Sequence, residues 1–370
     1  MWSHSFSSEP RHGISRVAVV VVFVVIVAMA GILFPAVQKA REAGFRSSCT
    51  CHLKQIGMAN ASFHDVHNGI VPATLAAASV NGEPPAIEDG LTWCALLLPF
   101  LDHGSVYDKF VADDGDQWLG YMPDGSTRQR DIASLDAACV KTYLCPTRRS
   151  GIQMCRQGGK VDGDVGACGD YAGVACNPGN PKNWYDVTAP FDETAGVLIG
   201  AERYFENSPD NKLAKWRSRI SFAKITDGMS NTLLIGEKHL SGAGLNKVNE
   251  GDGCVYYYHR QNPRPIEGGK WQTHAAAYSL RSISEMEAGK ENVAIAKRGS
   301  SSAPNDAQFG SCHPGICLFV LCDGAVKAVR VNADSQLLYD IANRSNANPS
   351  GGCDDHEYEV GSGTIVRSSY

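Results

Sequence analysis

Hydrophobic positions follow two regimes along this chain. From Val17 to Phe34 they are continuous: VAVVVVFVVIVAMAGILF is eighteen residues without a charge. A helix of that length reaches roughly 27 Å, near the hydrocarbon thickness of a bilayer. Beyond Pro35 the run gives way to AVQKAREAGFRSS, then to Leu53, Ile56, Met58 and Phe63 on mixed helical spacing, up to Asn68-Gly69. Only Gly44 and Gly57 interrupt the stretch from Gln38 to Asn68, each a tolerated cost of ~1 kcal/mol in a helix. The pattern predicts one continuous N-terminal helix, roughly Ser15 to His67, that passes from lipid into a soluble domain. Downstream, short apolar runs alternate with Gly, Asn, Ser and Pro clusters, the mark of a loop-rich, largely antiparallel β domain. The expected fold class is α+β: a long transmembrane and stalk helix followed by a mainly antiparallel β domain. The expected boundaries are a basic leader at 1–13, a transmembrane helix at 14–35, a helical stalk at 36–68, a globular domain at 69–345 and a flexible tail at 346–370.

Three readings of the apolar segment compete. It is a retained single-pass anchor, a secretory signal cleaved at Ala28-Met29-Ala30, or a prepilin-type leader cut after Gly13 with the helix left attached. A helix that continues into the soluble domain suits the first and third. Lys39, Arg41, Arg46 and Lys54 follow the span while only Arg11 and Arg16 precede it, so a plain positive-inside count favours the opposite orientation. Long domains translocate largely regardless of such charge, and the expectation is N-terminus inside, C-terminal domain exported.

Near the C-terminus, Ile316–Cys322 and Ala325–Val331 read as two strands. Asp323-Gly324 between them suits a two-residue type I′ loop with both residues at positive φ. Strand alternation puts Cys317, Phe319 and Leu321 on one face and Leu318, Val320 and Cys322 on the other. Cys312, His313 and Cys317 resemble ligands at first sight. With no acids nearby in sequence to orient the imidazole, His313 reads as a structural histidine closing the sheet. His64 and His67 can share a helical face, but at a helix end before Asn68-Gly69 they read as complements to the dipole. In ITDGMSNTLLIGEK, Asp227-Gly228 makes a turn, and Ser230 or Asn231 bonds nearby backbone before a strand at Thr232–Ile235. Asp227, Asn231 and Glu237 offer oxygens without the EF-hand ligand order.

Thirteen cysteines are an unusual load, and five of them, Cys139, Cys145, Cys155, Cys168 and Cys176, fall close together. In an oxidising compartment this cluster is the expected place for one or two disulfides, with free buried thiols as the alternative; its spacings are not those of paired zinc ligands. A net charge of −5 with 20% charged residues leaves no basic footprint for nucleic acid. There is no G-x-S-x-G, H-E-x-x-H, P-loop or G-x-G-x-x-G opening a helix. No catalytic residue, cofactor or metal is therefore expected. Trp93, Trp118, Trp184, Trp216 and Trp271, scattered among loops, suit either a sugar platform or ordinary packing.

Several separated motifs occur in a recognisable order: Cys49 with LKQIG at 53–57, FHDVHNG at 63–69, LLPFLD at 97–102, YLCPTRR at 143–149, DYAG at 170–173, ITDGMSNTLLIGEK at 225–238, and His313 followed after nine residues by Asp323-Gly324. With the leader and helix, this set resembles the pilin-like proteins that carry a DUF1559 domain, over roughly residues 13 to 335. The resemblance implies a pseudopilin-like architecture, processing at Gly13, and an H-x9-DG signature at His313, Asp323 and Gly324, with Asp227, Gly228, Ser230, Asn231 and Glu237 as further family positions. It also implies the lipid bilayer as a partner, and a prepilin peptidase or secretion machinery. Counting from Ile14, Pro35 falls at position 22, where pilins commonly carry a proline, but position 5 is Ala18 where they usually carry glutamate. The expected function is a membrane-anchored, non-enzymatic envelope protein that does not polymerise as an ordinary pilin. The alternative is an envelope solute- or glycan-binding protein.

Overall fold

The computed structural model describes residues 16–75, 90–108, 139–151, 153–155, 166–177, 196–205, 213–240, 245–246, 252–260, 264–266, 270–272, 275–276, 280–284, 308–345, 358–360 and 363–365. Gly13 and the leader therefore lie outside the described residues. The chain divides into two units, residues 1–45 and 46–370.

Helix α1, Arg16–His67, starts one residue from its expected position and runs through Pro35 without a break. In the first unit its apolar side chains are exposed from Val17 to Phe34. No part of the apolar window is buried, and the helix is long and apolar enough to cross a membrane. An unburied surface of valines all round a helix is costly in water and natural in lipid.

From Arg46 onward α1 belongs to the second unit. Cys49, Leu53, Ile56, Gly57, Ala59, Asn60 and Phe63 are buried there, a spacing of three and four that marks one face. The helix stops at Asn68, whose φ of +54° supplies the left-handed residue that commonly ends a helix.

The second unit is organised on a five-stranded sheet. Its strands are β1 (Tyr171–Asn177), β2 (Leu233–Glu237), β3 (Leu280–Ser284), β4 (Ile316–Leu321) and β5 (Val326–Arg330), in the spatial order β3-β1-β2-β4-β5. Every pairing is antiparallel except β3 with β1. The alternation expected along β4 is present. Leu318, Val320 and Cys322 join the core that contains Cys49, Leu53 and Ile56 of α1. Cys317, Phe319 and Leu321 join a second core with Leu337, Leu338 and Ile341 of helix α2, Ser335–Ala342. Both faces of the sheet are thus covered. At Gly57 the helix backbone comes very close to the sheet: a Cβ there would sit 2.8 Å from Val320 Cγ2 and 3.0 Å from Gly324 Cα.

Two details of the expected β structure are corrected. The β4–β5 connection is not a two-residue type I′ loop. Gly324 has positive φ, at +82°, and Asp323 does not. The Gly324 N–H donates to Leu321 O at 2.9 Å, and Leu321 N–H donates to Ala325 O at 2.8 Å. This is a three-residue loop of Cys322, Asp323 and Gly324 with glycine in the left-handed position, and Asp323 Oδ1 holds it by accepting from Ala325 N–H at 2.8 Å. Strand β2, expected to end at Ile235, runs on to Glu237. Its register against β4 shifts between Val320 and Leu321.

The expected turn at Asp227-Gly228 is present. Gly228 has φ +91°, Asn231 N–H donates to Gly228 O at 3.0 Å, and Asn231 Nδ2 donates to Asp227 O at 3.1 Å. Within the tail, Tyr358–Val360 pairs antiparallel with Gly363–Ile365.

Candidate functional site

Among the ten cysteines whose side chains are described the expected disulfides are not formed: all ten carry free thiols, Cys139, Cys145 and Cys168 among them. The side chains of Cys155 and Cys176 lie outside the described residues. Spacing along the chain does not bring the described members of that cluster together in pairs. Instead the fold carries Cys145 to a partner far upstream, Cys49 on α1, with the two sulfurs 3.2 Å apart.

Four chain segments meet at this point. Cys49 comes from the buried face of α1, Cys145 from the loop after the helical turn Lys141–Tyr143, Glu237 from the end of β2, and His313 from the segment leading into β4. Their ligand-type atoms all lie within 4.8 Å of one another, and all four residues are buried. Because Ile235 faces the α1 side of the sheet, Glu237 two residues on does the same. One carboxylate oxygen, Oε2, accepts from Leu318 N–H at 2.9 Å; the other, Oε1, is 3.4 Å from His313 Nε2. His313, expected as a structural histidine closing the sheet, has no acid among its sequence neighbours, yet one stands beside it in the fold. The acid is Glu237, supplied by another strand. Glu237 is accordingly not a partner of the turn at half-exposed Asp227 and exposed Asn231, with which its sequence position grouped it.

The electrostatics of the four are interdependent. The hydrogen bond from Cys49, helped by His313 and Arg148, holds the Cys145 thiol well below its ordinary range, against the effect of burial. Burial, and then the negative charge on Cys145, push the Glu237 carboxyl up to about 7.

A second buried cluster lies directly behind this one, and no spacing rule pointed to it. Asp170 Oδ2 accepts from Cys145 N–H at 2.7 Å. Its other oxygen, Oδ1, takes Arg148 Nη1 and Arg149 Nε, each at 2.9 Å. Arg149 then grips Asp252 with both terminal nitrogens, at 2.8 and 3.0 Å. Lys238, the residue after Glu237, is fully buried, with its ammonium 3.5 Å from Asp252. Burial alone would raise the Asp170 and Asp252 carboxyls, but the cations beside them hold both below the usual range.

The motifs singled out in the sequence now fall into place. YLCPTRR supplies Cys145, Arg148 and Arg149; DYAG supplies Asp170; the end of ITDGMSNTLLIGEK supplies Glu237 and Lys238; and His313 opens the H-x9-DG spacing. A family model for a protein of unknown function, DUF1559, matches residues 38–336. The chain belongs to the DUF1559 family. The match covers the end of α1 and the sheet, and begins beyond the apolar run. No curated protein and no solved structure matches the chain.

Several other candidate residues of this DUF1559 chain serve packing, while Trp118, Trp184 and the side chain of Trp271 lie outside the described residues. His64 stacks on Phe222 with ring centroids 3.9 Å apart. His67 stacks on Phe63 and Trp216, so each imidazole has its own aromatic partners rather than a shared ligand. Trp93 is fully buried and edge-on to Tyr143. Asp323 and Gly324 shape the hairpin loop against which Gly57 packs.

Proposed function

We propose that this DUF1559 protein is a membrane-anchored, non-enzymatic, pilin-like envelope protein, held with its N-terminus inside and its domain exported. The observation that carries the reading is the division of labour along α1. The same helix presents an unburied, uncharged run at Val17–Phe34 and a buried, sheet-packed face at Cys49–Phe63. Cleavage at Ala28-Met29-Ala30 would cut inside this continuous helix and leave Ile32, Leu33 and Phe34, all exposed, near the new N-terminus. Continuity of the helix therefore favours its retention. Further support comes from Arg148, Arg149 and Asp170, motif side chains that are engaged in buried ion pairs instead of facing solvent.

Ala18, at the place where pilins usually offer a glutamate to a neighbour's terminal amine, argues for an anchored protein that does not assemble into ordinary filaments. Trp93 and Trp216 have packing partners, which favours this reading over a tryptophan-walled sugar site. The test is protease accessibility in cells whose outer barrier is permeabilised and whose inner membrane is intact. The domain is expected to be digested there, with the protein remaining in the membrane fraction when cells are broken. A domain protected until lysis, or a protein released into the soluble fraction, refutes the proposal. So does its presence as the major subunit of sheared surface filaments, which Ala18→Glu in parallel is expected to promote.

A further inference from the structure

The Cys49, Cys145, Glu237 and His313 cluster is costly as a purely structural core. Two thiols, a carboxylate and an imidazole displace apolar packing at the place where α1 meets the sheet. Each of the four is 0–1 % exposed. Glu237 Oε1, fully buried, accepts no well-formed hydrogen bond. His313 Nε2 stands beside it at the long distance of 3.4 Å, and native folds rarely keep a buried acceptor so poorly satisfied without a use for it.

The geometry supplies a use. Around a tetrahedral ion bound at roughly 2.0–2.3 Å, donor atoms stand about 3.3–3.8 Å apart. Here the sulfurs are 3.2 Å apart and Glu237 Oε1 is 3.4 Å from His313 Nε2. All the remaining separations are within 4.8 Å, so coordination needs the longer edges to contract and the sulfur pair to open to the roughly 3.8 Å set by two zinc–sulfur bonds. The donors are also held from behind. Cys145 N–H is bonded to Asp170, Glu237 Oε2 to Leu318 N–H, and His313 N–H to Ser311 Oγ at 3.0 Å. Such outer contacts orient ligands before an ion arrives.

Behind the cluster, Arg148, Arg149 and Lys238 are paired with the carboxylates of Asp170 and Asp252. Two sulfurs and an imidazole nitrogen select a borderline-soft ion, and exclude calcium and magnesium, which take oxygen.

We propose that Cys49, Cys145, Glu237 and His313 form a closed structural site for a tetrahedral, thiolate-preferring divalent cation of the zinc class, which fastens the C-terminal part of α1 to the sheet. With four protein ligands and no solvent-facing position, the site has the form of a structural centre and not a catalytic one. A disulfide between Cys49 and Cys145 is the rival. It would use two of the four side chains and leave Glu237 and His313 unexplained.

The experiment uses the full chain, purified in mild detergent without chelator. Elemental analysis is expected to give one zinc per chain. After removal of zinc by a strong chelator, Co2+ is expected to bind with the visible bands of a tetrahedral thiolate site. Denatured wild-type protein is expected to alkylate at both Cys49 and Cys145 without reductant. His313→Gln and Cys145→Ser are each expected to lower zinc affinity by more than roughly tenfold, since losing a ligand costs at least as much as losing an outer contact. The wild-type measurements stand even where a variant fails to fold. A wild-type protein that neither contains nor takes up zinc or Co2+ overturns the proposal, as does a Cys49–Cys145 disulfide peptide in the unreduced digest.

Discussion

Arg149 is the side chain whose removal tests the buried charge network most directly. Its guanidinium makes three charge-assisted bonds, one to Asp170 and two to Asp252, and its side chain is 2 % exposed against 0 % for both acids. At that burial solvent does not screen the interaction, and the small values typical of surface ion pairs do not apply. Replacing Arg149 with methionine keeps much of the aliphatic volume and deletes the charge. Asp170 retains Arg148 and Cys145 N–H, while Asp252 retains Lys238 at the longer distance of 3.5 Å and Asn246 N–H at 2.7 Å. Breaking one member of a buried pair costs about 3–5 kcal/mol. The residual partners place Arg149→Met toward the lower end of that range. At roughly 2 °C of midpoint per kcal/mol for a domain of this size, the expected fall in Tm is about 6 °C or more.

The assay is thermal unfolding followed by tryptophan fluorescence at fixed detergent and free zinc, since any ligand bound to the folded state moves the midpoint. Asp252→Asn and the double variant complete a cycle. If the pair interacts as the geometry shows, the double variant is less damaging than the two single losses together, with a coupling of at least about 1 kcal/mol. A single Arg149→Met variant that melts within about a degree of wild type, or a cycle that adds without coupling, refutes the reasoning.

Acid exposes the same network from the other side. Burial raises the Asp252 carboxyl, but Lys238 and Arg149 outweigh it and leave the folded pKa below the unfolded value. Its contribution to stability is therefore complete above about pH 4 and lost as the pH falls through the depressed folded value; Tm measured across that range should fall more steeply in wild type than in Asp252→Asn. Gly236→Ala would drive a Cβ into the Phe319 ring and to 3.0 Å from Phe309, an overpacking expected to cost about 1–3 kcal/mol in chemical denaturation. Gly104→Ala, with open space around it, should be close to neutral, and equal effects at the two positions would contradict the packing described.

What is legible in the sequence is what local periodicity encodes. The span of α1, its end at Asn68 and the two faces of β4 all follow from repeats of 3.6 or 2 residues, which act within a few neighbours. Where expectation and structure part, the deciding contact is mostly non-local. No acid neighbours His313 in sequence, yet β2 runs two residues further than its apolar run suggests and delivers Glu237 to it. The cysteine spacings between Cys139 and Cys176 carry no information about Cys49, which reaches Cys145 only because α1 lies on the sheet. The type I′ expectation for Asp323-Gly324 fails for a local reason. Counting the loop from the apolar runs assigns Cys322 to the strand, whereas β4 ends at Leu321; Cys322 joins the loop, and a left-handed Gly324 closes it.

Several of the separated motifs that carry the family resemblance meet in one buried constellation. YLCPTRR, DYAG, the GEK that ends the long motif, and His313 each contribute to a single buried centre in which each polar group leans on another. In low dielectric that interdependence raises the cost of any single loss, because the partner is left buried and unpaired. A constellation of this kind preserves the joint between the C-terminal part of α1 and the sheet. The same logic sets the limit for a soluble form of the protein. Cys49, Leu53, Ile56 and Phe63 are core residues of the second unit, so a truncation that begins at Arg46 keeps the joint, while one that begins at Gly69 removes one wall of the core along with the anchor.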